Sequence, residues 1–461
     1  MKAWIRSGAL LVGLSLSLAS FADDAPPPPV PSLYDADLAL KNQDYKTAIS
    51  LYEKLALRPG GVAQYQLGYL HLNGLGVDKD ASEASAWFRQ SSAFGFSYGQ
   101  FALAMCYFYG LGVQQGINES IPLFQQAAKN NNPLAQYMLG YLYATGQGGL
   151  GIQPDLAIEW YSKAAEQKVL PAQYNLGREY YLGEGATQDY SKALTWFTAA
   201  ANEGMPKAQF MLGLMNSMGQ ATAANKAEAY QWYTKAAQQG VPQAEYNLGV
   251  LFYTGQGTAV SMPNAVAWII KAAQHNLPRA EYVLGYMIKN GIGVQKNPQT
   301  AVAWFNRAAV EGLAEAQFEL AMLYHTGQEG LIKDDQQAFS WLNVAAKQGG
   351  LAEAQAMLAS FYRTGTGGID LDPKLAAYWY EKAALQGLDT AQLDLGSIYM
   401  QQGGTKNLTE AYAWLNLAAQ SADPKTRDDA IKMRETAGKS MTPSDIKIAT
   451  MKSESYKSKF K

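Results

Sequence analysis

The chain has little of the chemistry that builds cross-links or metal centres. Its 461 residues include one cysteine, Cys106, which excludes an intramolecular disulfide and makes a multi-thiolate metal site untenable. The three histidines, His71, His275 and His325, lie far apart and show no zinc-binding spacing. No Gly-x-Ser-x-Gly motif, no Ser-x-x-Lys accompanied by its companion motifs and no histidine–carboxylate cluster is present. We therefore expect a protein that is not an enzyme and carries no metal or cofactor.

Charge is also sparse and balanced. With 37 Lys and Arg against 39 Asp and Glu, the formal net charge is -2, which offers no electrostatic reason to bind nucleic acid. After the N-terminal region, no apolar run is long enough to cross a membrane. The hydrophobic fraction of 48% nevertheless excludes a disordered chain. These features predict a folded protein without a transmembrane segment in its mature form.

The N-terminus predicts export. Lys2 and Arg6 precede an apolar run over residues 9–18, and Ser20-Phe21-Ala22 then forms a small-x-small site. This pattern is typical of a secretory signal peptide, residues 1–22, cut after Ala22. The run is shorter than a bilayer span, which disfavours the alternative of an uncleaved anchor. We expect a periplasmic or secreted protein.

A proline-rich segment follows, over residues 23–33, with the sequence Ala25-Pro26-Pro27-Pro28-Pro29-Val30-Pro31. Such a segment favours an extended polyproline conformation. Proline-reading domains bind segments of this kind, but in an exported chain we interpret it as a spacer.

The tryptophans reveal an internal repeat. After Trp4 they recur about 36 residues apart, or twice that, and Leu123-Phe124 fills the one doubled gap. They stand at Trp87, Trp160, Trp196, Trp232, Trp268, Trp304, Trp341, Trp379 and Trp414. Ten units aligned on these positions begin near Ala63, Gly99, Ala135, Ala172, Ala208, Ala244, Ala280, Ala316, Ala354 and Ala391.

The first half of a unit predicts a helix that packs on its neighbour. Ala244, Leu248 and Phe252 are spaced four apart and are expected to share the core face. Gly249 lacks a side chain and would allow a close approach of the second helix. Gly255 and Gly257 are expected to end the helix with positive φ angles.

The second half predicts a second helix. Ala265, Trp268 and Ala272 form its apolar stripe, and Pro278 begins the next unit. The fifth unit departs from the pattern because Ala221 stands where other units have the second glycine. A two-helix unit cannot bury its apolar face alone, so copies are expected to stack into a solenoid.

The pattern Ala-x-x-x-Leu-Gly-x-x-Tyr-x-x-Gly-x-Gly, followed by Ala-x-x-Trp-Phe/Tyr-x-x-Ala-Ala, resembles the Sel-1-like repeat, a relative of the tetratricopeptide repeat. The resemblance covers residues 63–421 and implies an all-α fold, an α/α superhelical solenoid of ten repeats. Residues 34–62 resemble a tetratricopeptide hairpin, and residues 422–461 predict a helical C-terminal cap.

Positions between the core residues, such as Val250 and Tyr253, are expected to face away from the core. The resemblance implies that this face lines a concave surface, where aromatic side chains suit a groove for a protein or peptide. The candidate contact residues are Tyr69, Met105, Phe108, Tyr141, Arg178, Tyr181, Val250, Tyr253, Tyr286, Lys289, His325 and Arg363.

The resemblance further implies an interaction scaffold, in envelope maintenance or host-cell interaction. Two alternatives stay open. One is a binder of peptidoglycan fragments that modulates a cell-wall enzyme. The other is a β-lactamase-like hydrolase, but the relatives with that activity carry a cysteine pair in each repeat, and this chain has one cysteine in all.

Overall fold

The computed structural model describes residues 32–327 and 331–460. These residues form two compact units, unit 1 with residues 32–232 and unit 2 with residues 233–327 and 331–460. All regular elements in these ranges are helical, and consecutive helices pack in pairs. The predicted all-α repeat fold is confirmed. The predicted signal peptide and residues 23–31 of the proline-rich linker lie outside the described residues.

The described helices are short and similar in length. Those of unit 1 are α1 Leu33–Lys41, α2 Tyr45–Ala56, α3 Val62–Asn73, α4 Ala81–Ala93, α5 Ser97–Tyr109, α6 Ile117–Lys129, α7 Pro133–Thr145, α8 Pro154–Glu166, α9 Leu170–Leu182, α10 Tyr190–Asn202 and α11 Pro206–Met218. The boundary between the units falls within α12 Lys226–Gln238. Those of unit 2 are α13 Pro242–Thr254, α14 Met262–Gln274, α15 Pro278–Asn290, α16 Pro298–Val310, α17 Ala314–Thr326, α18 Asp335–Val344, α19 Ala352–Thr364, α20 Pro373–Ala384, α21 Asp389–Gln402, α22 Thr405–Ala418, α23 Pro424–Gly438 and α24 Pro443–Lys457.

The core face of a first helix is set by three buried positions, spaced four and three residues apart. In α13 these are Ala244, Leu248 and Leu251, which are 0%, 1% and 5% exposed. Phe252, which the sequence pattern placed on the core face, is only half-buried. The correction follows from helix geometry: seven residues complete almost two turns, whereas eight overshoot the face by about 80°.

The second helix buries the residue that follows the tryptophan. Phe197 is fully buried, whereas Trp196 is half-buried. Only in the last two repeats of the described chain is the tryptophan itself buried, at Trp379 and Trp414. The tryptophan spacing therefore marks the repeat, but the core contact is made mainly by its neighbour.

That buried residue lies against the glycine that follows the core leucine. A Cβ atom added at Gly140 would be 2.5 Å from Cδ1 of Tyr161, and one added at Gly249 would be 2.9 Å from Cδ1 of Ile269. The predicted close approach at Gly249 is confirmed. Because no side chain intervenes, this contact sets the spacing of the two helices in a repeat.

The turn between the helices requires positive φ angles. Gly255 ends α13 at φ 71°, and its amide donates to the Leu251 carbonyl at 2.9 Å. In the fifth repeat Ala221 keeps the left-handed conformation of the glycine it replaces, with φ 68°. An alanine in this conformation costs about 1 kcal/mol. The packing of the repeat must therefore compensate for the unfavourable backbone conformation of Ala221.

A buried glutamine joins consecutive repeats. Gln173 is 6% exposed, and its Nε2 atom donates to the carbonyl of Ala165, at the end of α8, at 3.2 Å. The last carbonyls of a helix lack partners within the helix, so this side chain caps the preceding repeat. The same bond joins Gln64 to Ala56, Gln136 to Ala128, Gln209 to Ala201, Gln317 to Ala309, Gln355 to Ala346 and Gln392 to Ala384.

Two repeats have glutamate at this position, and a basic side chain compensates for the lost donor in one of them. Glu281 is buried and cannot donate, but Arg307 contacts its carboxylate at 2.7 Å and donates to the Ala273 carbonyl at 3.3 Å. Glu245 instead lies 2.7 Å from Nδ1 of His275. In these two repeats a contact between the glutamate and a basic side chain takes the place of the glutamine amide.

Helices α23 and α24 follow the last repeat and pack on α22. Tyr456 stacks on Trp414 with ring centroids 4.2 Å apart, and its hydroxyl donates to Glu410 at 2.7 Å. Lys452 of α24 pairs with the same carboxylate. Among the described helices, none combines the length and hydropathy that a membrane span needs.

Glu179 is an ionisable group in the core. It takes the third buried position of α9 and is 3% exposed. Burial raises its pKa, although the Arg178 guanidinium at 3.5 Å lowers it. A carboxyl whose pKa is raised by folding favours the unfolded chain at neutral pH. This penalty disappears as the pH falls below the ordinary pKa of glutamate, about 4.3.

The glycine contact predicts that Gly140→Ala lowers the free energy of unfolding by about 1–3 kcal/mol, because the added methyl group overlaps the Tyr161 ring. Denaturant titration followed by circular dichroism measures this change. Gly438→Ala is the matched control, since its Cβ would meet Tyr412 at an ordinary 3.4 Å. Equal effects of the two substitutions would contradict the proposed role of the contact.

The buried carboxylate predicts that Glu179→Leu stabilises unit 1 at pH 7 by about 1–4 kcal/mol, because a buried charge is replaced by an apolar group. The gain should shrink as the pH falls toward about 4, where the wild-type carboxyl becomes protonated in both states. Unfolding titrations at several pH values test this. Glu184→Leu, at a carboxylate that is 53% exposed, should change little; a gain independent of pH would refute the assignment.

Candidate functional site

The twelve candidate contact residues lie on first helices of both units. Unit 1 holds Tyr69, Met105, Phe108, Tyr141, Arg178 and Tyr181. Unit 2 holds Val250, Tyr253, Tyr286, Lys289, His325 and Arg363. Their surroundings differ between the units, and that difference decides what each surface offers.

Two of the candidates lie in the core. Met105 is 4% exposed and Phe108 is 8% exposed. The Phe108 ring packs on Tyr109 with centroids 4.9 Å apart, and both Tyr109 and Tyr141 cover the cluster that contains Met105. The expectation that Met105 and Phe108 contact a partner is therefore corrected, because larger tyrosines of the same and the next first helix cover them.

Five half-buried tyrosines form what we call the tyrosine surface of unit 1. Its members are Tyr45, Tyr69, Tyr98, Tyr109 and Tyr141, which come from α2, α3, α5 and α7. The buried Tyr65 ring lies beside two of them: its centroid is 6.2 Å from that of Tyr98, and the nearby Tyr69 hydroxyl adds to the effect of burial in raising the pKa of Tyr65. Burial and the nearby Tyr45 hydroxyl raise the pKa of Tyr69, and burial and the nearby Tyr141 hydroxyl raise that of Tyr109.

The hydroxyl groups of this surface are available as donors. Within the described part of the chain, the O–H groups of Tyr45, Tyr69, Tyr98 and Tyr109 make no hydrogen bond, and that of Tyr141 only accepts one, from Gln147 at 3.0 Å. Burial raises the pKa of Tyr69, Tyr98 and Tyr109, so these hydroxyls stay protonated at physiological pH. The rings are packed, while the polar tips are unused.

Sequence reasoning missed Tyr45, Tyr98 and Tyr109. The available signal was helical geometry: Tyr109 directly follows the candidate position of Phe108, and Tyr98 precedes the first core residue of α5. Between residues 32 and 158 the described chain makes no ion pair, and the five side chains that form the surface are all tyrosines. The surface is therefore suited to a ligand that is apolar and rich in hydrogen-bond acceptors.

Arg178 and Tyr181 lie further along unit 1 and are partly engaged. Arg178 is exposed and contacts Glu184 at 3.2 Å as well as the buried Glu179 at 3.5 Å. The Tyr181 ring packs on Tyr190 with centroids 5.4 Å apart. Arg178 can still offer part of its guanidinium to an anionic group.

In unit 2 the polar candidates pair with carboxylates of the protein itself. Lys289 contacts Glu319 of the next first helix at 2.6 Å, and Arg363 contacts Asp394 of the next first helix at 2.9 Å. These ion pairs link neighbouring repeats. They also neutralise the side chains that the sequence pattern assigned to ligand binding.

His325 also contacts a carboxylate of the protein, since its Nδ1 lies 2.6 Å from Asp335. Burial alone would raise the pKa of Asp335, but hydrogen bonds from His325 and Lys333 lower it below the usual value. Tyr253 and Tyr286 are 45% and 43% exposed, and Val250 is half-buried. The face of unit 2 therefore combines exposed tyrosines with paired charges.

A metal-binding cluster does not occur among residues 32–327 and 331–460. In that part of the chain no three His, Cys, Asp or Glu side chains converge as metal ligands. Burial raises the pKa of the Cys106 thiol to about 12, so it is not a nucleophile at neutral pH. A cleft of ≈ 370 Å³ lies in the fifth repeat, lined among others by Asn216, Asn225, Glu228 and Trp232.

Two solved structures are similar over most of this chain. One is c5321, described as a protective antigen present in uropathogenic Escherichia coli strains displaying an SLR fold; it is 28% identical, has a TM-score of 0.60, and the match covers 89% of this chain and 95% of that chain. The other is a Sel1 repeat protein from Oxalobacter formigenes, 31% identical with a TM-score of 0.55, covering 73% of this chain and 92% of that chain. Among curated proteins, none matches the sequence.

The family model described as Sel1 repeat matches eleven consecutive segments. The first, residues 38–58, lies within the hairpin that resembled a tetratricopeptide repeat. The others are residues 61–93, 97–132, 133–169, 170–205, 206–241, 242–277, 278–312, 314–350, 352–388 and 390–423. Sel1 repeat proteins typically serve as scaffolds for protein–protein interaction and are generally non-catalytic. Both the repeats and the structural likeness show that this chain belongs to the Sel1 repeat family.

Proposed function

We propose that this protein is an exported scaffold that binds a protein or peptide partner on the tyrosine surface of unit 1. The observation that carries the proposal is the state of the five tyrosines. Their rings are held by packing, while their O–H groups make no donor bond within the described chain. A partner can therefore gain contact area and hydrogen bonds without first breaking interactions of the scaffold.

Tyrosine suits this role for a physical reason. It presents a large rigid ring and a polar tip and has only two side-chain torsions to immobilise, so binding costs little entropy. In this protein the five tyrosine side chains are half-buried, so packing has already restricted their conformations before a partner binds. The remaining free energy of contact is available for the partner.

The face of unit 2 is less suited to the same role. A partner that contacted Lys289 or Arg363 would have to compete with Glu319 or Asp394 for the cation. Breaking such a pair costs desolvation without a matching gain unless the partner supplies its own carboxylate. The proposal therefore assigns the main contact to unit 1 and a subordinate one to Tyr253 and Tyr286.

Export to the periplasm or beyond is part of the proposal and rests on the signal-like residues 1–22. The likeness to c5321, described as a protective antigen, supports a role at the cell envelope or in contact with a host.

The cleft of the fifth repeat favours a second candidate ligand, a peptidoglycan fragment. Its lining combines an indole ring with amide and carboxylate groups, which suits a sugar with an apolar face and hydroxyl edges. Saturable binding of a muropeptide that is lost in Asn216→Leu but kept in Tyr141→Ala would assign the glycan to this cleft.

Crosslinking in living cells tests the main proposal. A photoreactive amino acid replaces Tyr69 or Tyr141 in unit 1, with Tyr286 of unit 2 as the control at a similarly placed tyrosine. We expect one partner to be crosslinked from both unit 1 positions, identified by mass spectrometry, and at least tenfold less from Tyr286. Equal yields from all three positions, or none from Tyr69 and Tyr141, would overturn the proposal.

A further inference from the structure

We propose that the chain's own proline-rich segment, residues 25–31, docks on the tyrosine surface of unit 1 near Tyr45, Tyr69 and Tyr98. The inference rests on the proposed function, because it names the chemistry that this surface recognises. It also adds a consequence: a partner must displace a tethered segment before it binds.

The chemistry of the segment complements that of the surface. Pro26 to Pro29 and Pro31 have no backbone N–H, so this stretch offers carbonyl acceptors and almost no donors. In the polyproline conformation those carbonyls make no internal hydrogen bonds. The tyrosine surface offers the reverse, since its O–H groups are unused donors.

The apolar parts match as well. Proline-rich segments with the spacing Pro-x-x-Pro bind in grooves lined by aromatic rings, because the pyrrolidine rings pack against the aromatic faces. Residues 26–31 contain this spacing twice, at Pro26 with Pro29 and at Pro28 with Pro31. The rings around Tyr65 supply such a lining: Phe96 and Tyr98 both lie about 6 Å from it, at centroid distances of 5.7 and 6.2 Å.

The attachment point allows the segment to reach this surface. The described chain starts at Ser32, which is fixed as the N-cap of α1 through its bond with the amide of Asp35. Helix α1 packs on α2, and α2 packs on α3, which carries Tyr69. In the polyproline conformation residues 23–31 would span about 28 Å at 3.1 Å per residue, and a helix with its side chains is about 10 Å wide.

Tethering makes weak contacts sufficient. A short linker gives an effective concentration on the order of 1 mM. If the free segment bound with a Kd on the order of 0.1 mM, as expected of a few rings and hydroxyls, the tethered segment would occupy the surface about nine-tenths of the time. A partner of moderate affinity could still replace it.

Hydroxyl-radical footprinting with mass spectrometry tests the inference. Three forms of the chain starting at Asp23 are compared: the natural sequence, a form without residues 25–31, and a form of natural length in which Pro26, Pro27, Pro28 and Pro29 are serine. We expect oxidation of Tyr69 and Tyr98 to rise at least threefold in both altered forms. Tyr253 and Tyr286 of unit 2 should react equally in all three.

A synthetic peptide of residues 25–31, added to the shortened form, should restore the protection, whereas a peptide with serine in place of proline should not. Unchanged oxidation of Tyr69 and Tyr98 in both altered forms would overturn the inference. If the tyrosines are equally reactive but still crosslink a partner, only this inference fails. If the segment protects them but no partner is captured, the proposed function fails instead.

Discussion

The close contact between a glycine of the first helix and a buried side chain of the second is the constraint on which the spacing of the two helices depends in most repeats; Ala104, Ala321 and Ala359 take the place of that glycine in the others. At Gly140 the space for even one methyl group is taken by Tyr161, and Gly177 meets Phe197 in the same way. This contact brings the two helices together and buries the residue that follows the tryptophan. It also leaves the opposite side of the first helix outside the hairpin. The surface where ligands can bind is thus a consequence of how the core is packed.

A hydrogen bond from a buried glutamine links each of most repeats to the one before it. The buried glutamine amide caps the preceding helix, and its position directly after the repeat's first core alanine makes the cap part of the core. Two repeats replace the amide with a carboxylate and a basic partner. The exposed face of the first helices also differs between neutral side chains in one unit and paired charged side chains in the other. Unit 1 presents tyrosines with unused hydroxyls, whereas unit 2 ties its charged residues to neighbouring first helices.

The sequence predicts most of the fold because the repeat is strongly periodic. The glycine turns, the alanine and leucine core and the helix pairs follow from spacing alone. The third core position was misassigned to Phe252 because a four-residue step drifts away from the 3.6-residue period. Met105 and Phe108 were misassigned because their burial depends on tyrosines of other positions and helices, which one helix's periodicity cannot reveal. The recurring Gln or Glu was visible in the sequence. The hydrogen bond that its side chain makes to a backbone carbonyl of the previous repeat could be seen only in the tertiary structure.

The central claim is that the hydroxyl groups of the tyrosine surface serve a partner and not the fold. The most direct measurement uses chains without residues 25–31 and compares the natural tyrosines with a variant in which Tyr45, Tyr69, Tyr98 and Tyr109, whose hydroxyls make no hydrogen bond within the described chain, are phenylalanine. At about 0.5–1.5 kcal/mol for each hydrogen bond, loss of two or more should weaken partner binding roughly tenfold or more. We expect this loss together with an unchanged free energy of unfolding. Undiminished binding, or a destabilised fold, would contradict it.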